Sequence, residues 1–252
     1  MASVLWSELT AEELREKASS DAIVVLPVAS VEQHGPHLGT GVDTVLCGAV
    51  CKAAAERVGD GTVVVAPTLW CGMAEHHMAF GGTFTLDIPT YRAVLLCLLK
   101  SLERHGFRRV LIVNGHGGNV NALAAFLPDF ARETTLTLRV TTYFLLAKDA
   151  LPSLLEDQRG VLHACEVESS MMMAVAPDAV RRERLGEAYG MLGADIEALM
   201  RPVVGSFSAF ADTTPTGVAG DARKSSRQKG EKLLSACAEA LAATLREPGT
   251  FL

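Results

Sequence analysis

Four short apolar runs rich in β-branched residues, at 22–28 (AIVVLPV), 62–66 (TVVVA), 109–113 (RVLIV) and 138–144 (LRVTTYF), alternate with longer stretches of helical period at 44–57, 90–105 and 119–132. A run that is apolar at nearly every position suits a strand covered on both faces, and helices between such strands supply the cover. The pattern therefore predicts an α/β fold: a mostly parallel sheet flanked by helices on both faces. At 252 residues one domain spanning 1–252 is expected. The last third is less regular. Segments 168–175 and 231–246 carry a helical pattern, while 205–220 (GSFSAFADTTPTGVAG) has the composition of an extended loop.

Charge and targeting signals narrow the partners. With 23 basic residues against 29 acidic ones the chain has no cationic footprint for a nucleic-acid backbone. The segment MASVLWSELTAEELREKA lacks the basic and apolar regions of a signal peptide, and no apolar run approaches the ~18 residues of a membrane span. A cytoplasmic protein acting on a small molecule, without nucleic acid or membrane, is the expectation. The six cysteines show no C-x-x-C spacing and are read as reduced and structural.

Six of the seven histidines fall in four short segments rich in turn residues, and only His105 lies elsewhere. Three of these segments follow a predicted strand, where open α/β sheets bind ligands. The first, ASVEQHGPHLGTGVDT, holds Glu32 and His34 two residues apart, a spacing that turns both to one side of an extended segment, and then Asp43. Asp43 reads either as a metal ligand or as a cap for a helix beginning at Thr44. The second, NGHGGN, places His116 at a glycine-rich turn that matches neither a dinucleotide fingerprint nor a P-loop. The third, HACEVESS, brings His163, Glu166 and Glu168 to a helix start, where acids also serve as plain dipole and capping partners. The fourth, EHHMAFGGT, carries His76 and His77, of which one is expected to face a site.

Mixed carboxylate and imidazole donors with no thiolate at ligand spacing favour Zn, Mn or Fe(II), Zn first. A carboxylate such as Asp43 can bridge two ions, and five ligands with one bridge suit a pair about 3.5 to 4 Å apart. No G-x-S-x-G elbow is present, and Cys165 lacks the context of a cysteine nucleophile.

The motifs LPVASVEQHGPHLGTGVD, MAEHHMAFGGT, FRRVLIVNGHGGN and HACEVESS, in this order, resemble the creatininase family over nearly the whole chain. The resemblance implies a binuclear site and hydrolysis of a non-peptide or cyclic amide C–N bond by a metal-bridging hydroxide. It places Glu32 and His116 on one ion, His34 and a further carboxylate on the other, and Asp43 between them. It also implies a homo-oligomer, commonly a hexamer. Creatininase proper has a glutamate two residues after the NGH histidine, where this chain has Gly118. Relatives with NGHGGN carry the equivalent carboxylate five residues after the histidine of the H-A-G-x-x-E motif. Here that residue is Glu168, with Glu166 the alternative and Cys165 in place of the usual glycine.

EHHMAFGGT resembles the non-creatinine branch, so another substrate is expected: a lactam, imide or formamide, or alternatively a peptide or an inosose as in other branches. His77, His163 and Glu166 are the candidates for proton transfer. A non-catalytic small-molecule binding protein is the reading from a different class, and metal content separates it from an enzyme.

Overall fold

A computed structural model describes residues 3–156, 158–195 and 204–252. Its centre is a four-stranded parallel sheet of β1 (Ile23–Val28), β2 (Val63–Val65), β3 (Arg109–Asn114) and β4 (Thr137–Thr142), in the order β2-β1-β3-β4. Around it lie α1 (Ala11–Ser19), α2 (Val42–Val58), α3 (Ile88–Arg104), α4 (Val120–Glu133), the short α5 (Tyr143–Leu146), α6 (Glu166–Val175), α7 (Phe210–Thr213) and α8 (Arg227–Arg246).

Successive side chains of a strand point to opposite faces, and the core divides accordingly. Ile23 and Val25 of β1 with Leu111 and Val113 of β3 pack against α2, and beyond it against α6 and α8. Val24, Leu26, Val28, Val110 and Ile112 face α1, α3 and α4. Both faces are covered, as the sequence pattern predicts. α2 lies between the sheet and the α6–α8 pair, which explains why it is apolar nearly all round.

The expected strands and helices are observed with shifts at their ends and in the last third, and α1 is a helix the sequence reading did not name. The apolar run 138–144 is one strand only to Thr142, after which Tyr143 and Phe144 begin α5 with their rings buried. Burial rather than strand geometry is what those aromatics signalled. Segment 205–220 is mainly loop, but it contains α7 and ends in β6 (Gly220–Asp221), which pairs antiparallel with β5 (Tyr189–Gly190). Cysteines 47, 51, 71, 165 and 237 are buried, Cys97 is exposed, and all six are free thiols. Among the described residues no helix is long and apolar enough to cross a membrane.

The strand order fixes where a ligand can sit. From β1 the chain proceeds to β2 on one side, while β3 lies on the other, so the connections leaving the carboxyl ends of β1 and β3 diverge and open a crevice. Glu32 and His34 follow β1, and His116 follows β3.

Candidate metal centre

The structure does not give Asp43 a capping role. Helix α2 starts at Val42 behind Gly41, whose position receives no side-chain cap, so the Asp43 carboxylate is free of capping duty. It points into the crevice instead, with Oδ1 3.1 Å from His34 Nε2 and Oδ2 3.0 Å from His116 Nδ1. Glu32 Oε2 lies 3.2 Å from the same His116 nitrogen, and Glu168 Oε1 lies 3.9 Å from His34 Nε2. Glu32, His34, Asp43, His116 and Glu168 therefore converge, all of them buried.

The outer nitrogens of both imidazoles are already committed. His34 Nδ1 donates to the carbonyl of Glu32 at 3.1 Å, and His116 Nε2 donates to the carbonyl of Met73 at 3.0 Å. Such outer bonds fix the tautomer and aim the other nitrogen inward, as around bound metal ions. Aimed that way, it meets carboxylate oxygens. Both Glu32 oxygens, Asp43 Oδ2 and His34 Nε2 have no hydrogen-bond partner, because the close approaches are not aligned as hydrogen bonds. Three buried carboxylates with converging lone pairs demand positive charge, which divalent cations would supply. The donor set fits the Zn, Mn or Fe expectation.

The NGHGGN turn is braced by its two asparagines. Asn114 Oδ1 accepts from the His116 amide at 3.1 Å, and Asn119 ties the turn to Ala29 O and Met73 N at 3.2 and 2.9 Å. At the third segment Ala164 adopts a left-handed backbone, φ 52°, which turns its N–H onto Glu168 Oε2 at 2.5 Å. Glu168 thus ties down the preceding turn and also reaches the cluster. Cys165, with φ −95°, needs no glycine.

Glu166 is not brought to the cluster, and its proposed proton-transfer role finds no support there. Its buried carboxylate binds Lys229 and the Glu156 amide instead. Helix geometry explains the split: residues two apart on a helix diverge by about 200°.

His77 and His163 both reach the cluster. His77 Nε2 is 3.2 Å and His163 Nδ1 3.6 Å from Glu32 Oε1. The expectation that only one of His76 and His77 faces the site is corrected. Segment Glu75–Phe80 is a 3-10 helix, in which neighbours lie about 120° apart, and both rings line the same cavity. That cavity, about 510 Å³, is walled by Phe144, Phe207, Phe210 and Met191. Phe210 comes from the 205–220 loop and lies 4.6 Å from the His77 ring and 5.0 Å from that of His163. Trp70 does not line it, but packs edge-on against Phe84. Gln33, Asn119 and Phe210 went unread in the sequence, although all three lie in segments already singled out.

Electrostatics follow from this crowding. Burial pushes the Glu32 carboxyl up, but His116 and His77 more than offset it and hold it well below the usual range. Burial likewise disfavours charge on His34, yet Asp43, Glu168 and Glu32 raise it to about 9, and His116 is raised by Glu32 and Asp43. Glu168 is raised to about 7, mainly by burial, against the pull of His34. Burial lowers His163 and takes His76 to about 3.

Above neutral pH these shifts act in one direction. Without an ion, His34 holds its proton in the folded state after the unfolded state has lost it, so its stabilisation is complete below about pH 6.5 and disappears through about 9. His116 and Glu168 add the same sign, while His76 and His163 are neutral in both states and add no slope. Metal-free protein is therefore expected to lose melting temperature between about pH 7 and 9, and Zn or Mn to restore a growing share, since ions take the deprotonated ligands. Thermal melts with and without chelator across that range check this. A flat metal-free profile would contradict it.

Fold and site together define an α/β scaffold with a buried carboxylate–imidazole cluster, a candidate cation centre, at the switch point of its sheet. The family model for creatinine amidohydrolase matches residues 7–245, and the chain belongs to the creatininase family of metal-dependent hydrolases. It is 31% identical to creatinine amidohydrolase of Pseudomonas putida over 97% of both chains. To the mycofactocin precursor peptide peptidase of Mycolicibacterium smegmatis it is 30% identical, over 88% of this chain and 83% of the relative. It is 24% identical to 3-dehydro-scyllo-inosose hydrolase of Thermotoga maritima, over 97% and 83% respectively. Among solved structures it superposes with TM-score 0.83 on a creatininase containing Mn, at 29% identity over 97% and 98% of the two chains. A creatininase mutant of Zn-Zn type also gives 0.83, at 30% identity over 98% of each chain.

Proposed function

We propose that this chain is a binuclear metal-dependent amidohydrolase that opens a non-peptide amide C–N bond of a small molecule, such as a lactam, cyclic imide or formamide. The observation that carries the reading is the divided Asp43 carboxylate, with one oxygen against His34 and the other against His116. That division suits one ion held by Glu32, His116 and Asp43 and a second held by His34, Asp43 and Glu168. The Zn-Zn type of the creatininase mutant supports the same count. Bound there, two such ions would activate a shared water near neutral pH and polarise the scissile carbonyl.

The chain's own groups supply the rest. His163 turns its Nδ1 to the cluster and is placed to take a proton, while His77 stands against Glu32 and is placed to give one to the departing nitrogen. Phe210, Phe207 and Phe144 give the cavity an apolar wall. A cavity of about 510 Å³ has the size of a small-molecule pocket. Gly118, where creatininase proper has a carboxylate, favours a substrate other than creatinine.

A peptide substrate is the second reading. A neighbouring cavity of about 790 Å³ shares Met191 and Thr213 with the first, which leaves room for a longer chain.

A panel of lactams, imides, formamides, creatinine and short peptides, assayed with Zn- or Mn-loaded and chelator-stripped protein, tests both. Turnover of a cyclic amide, imide or formamide that chelator abolishes and metal restores is expected. Turnover of peptides alone would move the assignment to the second reading. No turnover at full metal content would overturn the hydrolase reading.

A further inference from the structure

Gln33 stands between two ligand positions, Glu32 and His34, and its side chain leaves the cluster on the other side. There its amide is oriented without ambiguity. Oε1 accepts from the Gly35 amide at 2.9 Å, so the other end is Nε2, which donates to the Gly217 carbonyl at 3.0 Å. The second Nε2 hydrogen meets His77 Nδ1 at 2.9 Å. His77 must accept there, and its own proton therefore sits on Nε2, the nitrogen facing Glu32 Oε1.

The backbone of the same residue fixes a second imidazole. A carbonyl can only accept, so His163 Nε2 donates to Gln33 O at 2.8 Å and its Nδ1 is left bare. The 3.0 Å approach of His163 Nε2 to the Gln33 amide nitrogen is then a contact between two donors whose hydrogens are placed elsewhere. Bare Nδ1 is the atom that faces Glu32 and the cluster. Gly217 has φ +72°, and a Cβ there would lie 2.2 Å from Gln33 Oε1, so the loop comes up against this amide as closely as a backbone can.

We infer that Gln33 is a positioning residue that makes two equivalent side chains present opposite chemistry to the site: His77 an N–H donor, His163 an open nitrogen. Hydrogen-bond donor and acceptor are thereby assigned before any substrate arrives. This rests on the amidohydrolase reading for its consequence in turnover, but not for the hydrogen positions themselves.

Neutron diffraction from deuterium-exchanged, Zn-loaded crystals reads those positions directly. Deuterium is expected on His77 Nε2 and His163 Nε2 and absent from His77 Nδ1 and His163 Nδ1. In Gln33→Glu the carboxylate cannot donate, so deuterium is expected on His77 Nδ1. Gln33→Met, which keeps the length and forms no such bonds, serves as the second variant. Both are expected to keep the metal content and to hold KM within about threefold. On the substrate found by the panel kcat should fall about 100-fold or more, the scale of a lost proton-transfer group. Deuterium on His77 Nδ1 or His163 Nδ1 in the unaltered protein overturns the inference, as does kcat within threefold in both variants. Should no panel compound turn over, the neutron maps of the unaltered protein and Gln33→Glu still decide it.

Discussion

Asp43→Ala is expected to hold fewer than one ion per chain, against about two in the unaltered protein, and to lose turnover by on the order of 10³ or more. Both effects have one origin. Asp43 is the only residue of the cluster with an oxygen against each imidazole, at 3.1 Å from His34 and 3.0 Å from His116. Without it each half keeps one carboxylate and one imidazole, Glu32 with His116 and Glu168 with His34. Two donors hold a divalent ion weakly, and no group remains to fix the separation of two. The fold should survive, because Asp43 does not cap its helix. Elemental analysis, a thermal melt and the substrate assay measure the three quantities. Retention of two ions with unchanged turnover would remove Asp43 from the centre.

Gly118→Ala should weaken metal binding by about 10- to 100-fold, although residue 118 donates nothing to an ion. A Cβ at this position would lie 2.4 Å from His116 Nε2 and 2.4 Å from Met73 O, the two ends of the hydrogen bond that orients His116. It would also come within 2.9 Å of His76. Something must shift, and the braced turn leaves the imidazole as the mobile part. Overpacking of this kind costs about 1 to 3 kcal/mol of stability. Gly118→Glu meets the same obstacle, so restoring the creatininase glutamate is not expected to restore creatininase chemistry. Competition titration against a chelator gives the affinity, and a change below threefold would show that the turn yields without disturbing His116.

The fold was legible because β1 and β3 are apolar at almost every position, a pattern that buried parallel strands produce and amphipathic ones do not. Glu32, His34, Asp43 and His116 were legible because they crowd the ends of those strands. The choice between Glu168 and Glu166 was not. It depends on whether that segment is helical from its first residue, and α6 begins at Glu166, which sends the two carboxylates to opposite sides. His76 escaped for a related reason, since a 3-10 turn rather than an extended segment carries the pair. Gln33 and Phe210 were hidden more deeply. Their partners lie on distant segments, so neither carries a local pattern, and only the packing of the 205–220 loop over the crevice brings Phe210 to His77.

Anomalous diffraction from Mn-loaded crystals addresses the proposed two-ion centre most directly. Two peaks about 3.5 to 4 Å apart are expected, one against Glu32, Asp43 and His116 and the other against His34, Asp43 and Glu168. A single peak, or a pair that does not share Asp43, would contradict it.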